Sequence, residues 1–268
     1  MASLDAIQYS SKIAFENQPD LLSEHCDRTW NDAEIEVENQ LKNLYSNLRE
    51  CFHKWILQLN PPVESRKIEL GIKDSVFLNF NYTKTLEVLY GINQHCILHI
   101  HGCVDDGENF VLDHSKSYGD LVSMNPIRMP EPPNDLSADE LSDFYEGHAN
   151  DGQMLHEQLA MDAAINGIVS QRKPVEDIIR KNEDFWGTLS DVSYVHVYGL
   201  SLSEVDIPYL KHILSKVKSA VWDFSSYDCS DEIRIANFCK DNRIVKHNII
   251  KLMDLIDVKQ LKIPFPDS

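Results

Sequence analysis

The sequence predicts an α/β protein: a mostly parallel sheet flanked by helices, with a helical insertion. Three observations predict it. Short apolar runs rich in β-formers alternate with stretches of helical spacing, as at Val76–Phe80 followed by Tyr82, Leu86, Leu89 and Tyr90. Strands alternating with helices argue for parallel pairing with helices on both faces. Three of the apolar runs end abruptly in polar residues or glycine, the pattern of strand ends that border a ligand cleft.

In chain order, residues 1–28 are polar and weakly patterned. From Thr29 to Leu59, apolar residues from Trp30 and Ile35 through Trp55, Ile56 and Leu59 recur at the helical period, and Pro61-Pro62 ends the run. This is a long amphipathic helix over 29–60, capped by Asn31 or Asp32 and broken at most once, with its Trp and Phe positions expected in the core. After the Val76–Phe80 unit, Cys96–Gly102 is a second strand, and Phe110–His114 a third, shorter one paired to it through the turn at Asp105-Asp106-Gly107. Residues 115–185 read as a helical insertion or lid. The stretch to residue 153 is proline-rich and acidic, and helical after Ser137. Helices follow at Leu155–Ile168 and after Pro174. Tyr194–Gly199 is a clear strand, and Ser203 with Asp206 resembles a capping box before a helix through Tyr209–Val217. The chain closes with a strand at Ala220–Phe224, a helix at Asp231–Cys239, a strand at Arg243–Ile250 and a short helix at Leu252–Ile256.

The chain has 268 residues, 43% of them hydrophobic, enough for one α/β domain over 1–268 without disulfide staples. Its net charge of −18 disfavours nucleic acid, which needs lysine and arginine against its phosphates. The six cysteines form no Cys-x-x-Cys pair or zinc ribbon and are expected as free thiols of a reducing compartment. No leader peptide or apolar run of membrane-spanning length is visible, so a soluble, cytoplasmic protein is expected.

The polar strand ends hold the candidate site: Asn79, Asn81 and Thr83; His99, His101 and Gly102; and Gly199, Ser201 and Asp206. In an extended strand, Asn79 and Asn81 share a face, as do His99 and His101. The competing readings are an Asn/Thr helix cap and structural histidines at a strand end. A metal set from His95, His99 and His101 lacks a carboxylate. A Ser201–His114 hydrolase lacks the Gly-x-Ser-x-Gly elbow. A nuclease would need clustered carboxylates.

Phe77–Glu87, Leu98–Gly102 and Val197–Asp206, with Trp30–Glu34 and Trp222–Phe224 beside them, resemble the bacteriophage abortive infection AbiH family over about residues 29 to 250. That family is in turn similar to the sirtuin-like NAD-binding proteins. The resemblance implies a Rossmann-like, sirtuin-like sheet, a role in anti-phage defence, and NAD or a related nucleotide as substrate, with no metal. It places His101 as general base and Asn81 as the residue orienting ribose or water. Asn79, Thr83, Gly102, Gly199, Ser201 and Asp206 would make contact with the nucleotide. A phage protein as trigger and a homo-oligomer are further implications. This sequence departs from the pattern in three ways: it has no Gly-Asn-Gly-Phe-Asp loop, Thr83 stands for the sirtuin aspartate, and Leu200 stands where AbiH-like chains often carry histidine. Two functions follow as expectations: an effector that cleaves the nicotinamide–ribose bond, or a non-catalytic nucleotide-binding or phage-sensing module.

Overall fold

The computed structural model describes residues 10, 12–17, 31–59, 67–68, 74–106, 118–123, 132–147, 152–171, 174–217 and 219–255. The strand expected at Phe110–His114, and residues 1–9 and 18–30, lie outside these. The chain divides into two compact units, Met1–Glu50 with Asp113–Arg172, and Cys51–Leu112 with Lys173–Ser268.

The first unit is helical among its described residues. Helix α1 spans Asp32–Leu57 without a break, its last seven residues belonging to the second unit. Acidic Asp32 and Glu34 sit in its first turn, where they offset the positive end of the helix dipole. Its buried face is narrower than the apolar spacing predicts. Ala33, Val37 and Leu41 pack with Ile13, Ala14, Ala160, Ala163 and Ala164, whereas Leu44 and Leu48 are exposed. So many apolar residues wrap around the cylinder rather than form one stripe. Trp55, expected in the core, is exposed too, although its ring lies 5.7 Å from Phe52. Small residues on helix α5 (Gly152–Val169) let α1 approach closely, and a Cβ added at Gly167 would stand 2.7 Å from Leu41 Cδ1. Within the insertion, α3 is Tyr118–Ser123 and α4 is Ala138–Gly147. Helix α4 starts where expected, on a reciprocal cap. The Ser137 hydroxyl donates to Glu140 Oε2 at 2.7 Å, and the Ser137 amide to the same oxygen at 2.9 Å.

The second unit carries the described strands. Strand β1 (Phe77–Asn79) pairs in parallel with β2 (Ile97–His99), register Phe77↔Ile97, across helix α2 (Thr85–Tyr90). After helices α6 (Val175–Lys181) and α7 (Glu183–Gly187) comes a second parallel sheet. It has the order β3-β4-β5, from β3 (Tyr194–Val197), β4 (Val221–Ser226) and β5 (His247–Lys251). Helices α8 (Ile207–Lys216) and α9 (Cys229–Asp241) are its crossovers. Parallel pairing is as predicted, but the strands form two short sheets rather than one wide Rossmann-like layer. Both crossover helices bury against the same sheet face: Val197, Trp222 and Phe224 share a core with Tyr209, Leu210, Ile213, Ile235 and Phe238. Sequential strand order with crossovers of one hand places both helices on one side. The opposite face carries a polar row across the three strands. His196 Nδ1 lies 3.0 Å from Asp223 Oδ2, and Asn248 donates to Asp223 Oδ1 at 2.7 Å. Leu78, Phe80, Leu98 and Ile100 join the same core, which ties β1 and β2 to it.

Candidate functional site

Strand β1 stops at Asn79 because the Asn79 side chain turns the chain. Its Oδ1 accepts from the Asn81 amide at 2.9 Å, an Asx-turn that competes with continuing the strand. Asn81 therefore lies in a bend, exposed, and does not share a strand face with Asn79, which is buried. The helix-cap reading also fails in detail. Lys84 is the N-cap residue of α2 and makes no side-chain cap bond, while Thr83 Oγ1 meets Thr85 Oγ1 at 2.9 Å. Lys84 pairs with Asp105, and that contact raises its pKa.

Strand β2 likewise ends earlier than expected, at His99. The His99 ring is committed at both nitrogens. Nε2 lies 2.8 Å from Glu87 Oε1, while Nδ1 lies 3.3 Å from Asn79 Nδ2 and 3.4 Å from the Asn81 carbonyl. The chain then turns. The Gly102 amide donates to the His99 carbonyl at 3.2 Å, and Gly102 takes φ +89°, where a side chain would be strained. His101, in this turn and off the strand, is 8% exposed. Its ring sits among Phe80 at 5.4 Å, Tyr82 at 6.1 Å and Tyr209 at 6.1 Å.

The third junction follows β3. Gly199 has φ +68°, and its amide donates to Ser225 Oγ at the end of β4, 2.9 Å away. Leu202 is buried at φ +53°. The expected capping box is rearranged. The Ser203 hydroxyl donates to Asp206 Oδ2 at 2.8 Å, and Asp206 is itself the N-cap of α8 but makes no side-chain cap bond. With Oδ2 held by Ser203, the other carboxylate oxygen, Oδ1, comes within 3.8 Å of His101 Nε2. This contact joins the third junction to the other two.

Most of the predicted set is thus brought together. Asn79, Asn81, Thr83 and His99 share one hydrogen-bonded turn, and His101 and Asp206 approach across it. Ser201 is exposed, and no hydrogen bond links it to the others. Among the described residues, no group of three or more His, Cys, Asp and Glu could hold a metal ion, and His95 is exposed. His114 lies outside the described residues. The cysteines at 51, 96, 103, 229 and 239 are free thiols. The sequence assigns no role to three residues of the site: Glu87 on α2, at the end of the Phe77–Glu87 stretch, Ser225 at the end of β4 and Tyr209 on α8. Each reaches the site through a tertiary contact, and only the strand register could have pointed to Ser225.

Helices with two short parallel sheets define a mixed α/β protein. The family profile described as "Bacteriophage abortive infection AbiH" matches residues 3–226, and the chain belongs to that family. Its role is therefore in bacteriophage abortive infection. No curated protein matches the chain. No solved structure matches it either. No helix among the described residues is long and apolar enough to cross a membrane.

Proposed function

We propose that this abortive-infection protein takes NAD or a related nucleotide at the three strand ends and cleaves its nicotinamide–ribose bond. The observation that carries the reading is the approach of His101 Nε2 to Asp206 Oδ1 at 3.8 Å, which gathers all three junctions around one imidazole. In the proposed reaction, water adds to the ribose carbon as its bond to the pyridinium nitrogen breaks. The bonding pair leaves with nicotinamide, and His101 takes the proton from the water. The carboxylate beside it stabilises the imidazolium that forms. Asn81, exposed in its bend, orients the ribose or the water; Asn79 and Thr83 hold that bend, and Gly102 and Gly199 allow backbone to come close to the ligand. Ser201 and Asp206 complete the set.

One observation favours a second reading, a nucleotide-binding or phage-sensing module without turnover. His101 is enclosed by three aromatic rings and reaches a substrate only if one of them moves. Purified full-length protein incubated with NAD separates the two. Turnover is expected in the wild type, with His101→Ala and Asn81→Ala slowing nicotinamide release by about 100-fold or more. Saturable NAD binding without nicotinamide release would assign the second reading. Neither binding nor release would sink both.

A further inference from the structure

Glu87 sits in the first turn of α2, at the end of the Phe77–Glu87 stretch, with no role assigned to it above. Its Oε1 is 2.8 Å from His99 Nε2, with the two side chains only 16% and 11% exposed. A carboxylate accepts and does not donate, so the proton of a neutral His99 ring belongs on Nε2. Nδ1 is then an acceptor, and the group opposite it at 3.3 Å is the donor end of the Asn79 amide. The amide orientation is fixed independently. Asn79 Oδ1 accepts from the Asn81 backbone amide at 2.9 Å, so Nδ2 faces His99 and the Thr83 carbonyl, 3.4 Å away. Moving the ring proton to Nδ1, or turning the amide over, would set donor against donor. With a neutral ring, the chain from carboxylate to imidazole to amide to turn sets a donor against an acceptor at each link, whereas a ring protonated at both nitrogens would donate from Nδ1 to the Asn81 carbonyl, 3.4 Å away.

We propose that Glu87 is a positioning residue. By holding His99 in the Nε2–H form, it fixes the Asn79 amide and, through it, the Asn81–Thr83 turn that faces the ligand. His99 is then a strut and not a second base. The proposal rests on the nucleotide reading only in taking that turn as the ligand's contact surface.

The test uses the full chain. In the wild type, nitrogen-15 correlation spectra of the His99 ring should show the Nε2–H tautomer; the Nδ1–H tautomer or a doubly protonated ring would overturn the proposal. Glu87→Ala should speed hydrogen exchange at the Asn81 backbone amide by up to about tenfold. Glu87→Gln keeps an acceptor oxygen and should restore the wild-type rate. With NAD as the probe, Glu87→Ala should lower kcat by about 10- to 100-fold and leave KM within about threefold. An unchanged Asn81 exchange rate in Glu87→Ala would overturn the proposal, as would Glu87→Gln behaving like Glu87→Ala. If the wild type releases no nicotinamide, the catalytic reading fails alone, and the tautomer and the exchange rates still decide the role of Glu87. Should Glu87→Ala not fold, the tautomer in the wild type decides it.

Discussion

The polar end of β1 and β2 and the polar end of β3 look alike in sequence and are built on different principles. At the first, side chains bond to one another. Asn79, His99 and Glu87 form a continuous chain, and Asn79 bonds back to its own turn. At the second, the backbone supplies the shape. Gly199 and Leu202 take positive φ, the Gly199 amide is tied to Ser225, and Ser201 projects into solvent. A side-chain network holds a surface rigid in advance of any ligand, whereas a backbone turn with an exposed hydroxyl keeps its polar groups available. In the proposed reaction, the rigid end would orient the reacting group and the open end would grip phosphate or ribose oxygens.

Removing the network should have the largest effect. Asn79→Ala loses three polar contacts at a buried position and should cost about 1–3 kcal/mol of stability, read from denaturant unfolding. A loss below about 0.5 kcal/mol would mean that the two ends are not differently built. Gly199→Ala meets no steric obstacle, since a Cβ there has nothing within 4 Å, so only the left-handed backbone resists it. Its cost should be about 1 kcal/mol in the same measurement. The smallest effect concerns pH. His212, on α8 behind the third junction, has its pKa lowered by burial first and by Lys216 second. The unfolded chain therefore binds a proton that the folded ring resists. Its contribution to stability is complete above the ordinary value of 6.5 and is lost as pH falls through the lower folded value. His212→Gln should flatten that acid limb in thermal melts taken across mildly acidic pH.

The elements were largely legible, and the site only in part. Helices α1, α5 and α8 and strands β1 to β4 stand where apolar spacing put them, because that spacing reflects which face is buried. The expected strands overrun the ends of β1, β2 and β3 by one to three residues, whereas β4 and β5 run two and one residues further than expected. Asn79 and Gly102 leave the extended conformation through hydrogen bonds that a periodicity argument does not contain, so the face-sharing of Asn79 with Asn81, and of His99 with His101, did not survive. Helix α9 begins two residues early because Asp228 caps it, accepting from the Ser230 and Asp231 amides at 2.8 and 3.0 Å. Glu87 lies within the Phe77–Glu87 stretch, but its role has no local sign because its partner is twelve residues away, on another element. Trp55 was misplaced because a helix with apolar residues on all sides does not reveal which of them will be covered.

Strand direction also constrains how the second unit forms. Every described ladder is parallel, with partners such as Tyr194↔Val221 and Trp222↔His247, so no ladder can start from a tight hairpin. Each intervening chain must close, with its helix inside it, before a single inter-strand bond is gained. In pulse-labelling during refolding, amides of α8 and α9 should gain protection ahead of those of β3 to β5. The imidazole–carboxylate approach between His101 and Asp206 should then be among the last features to appear, since it needs both sheets in place.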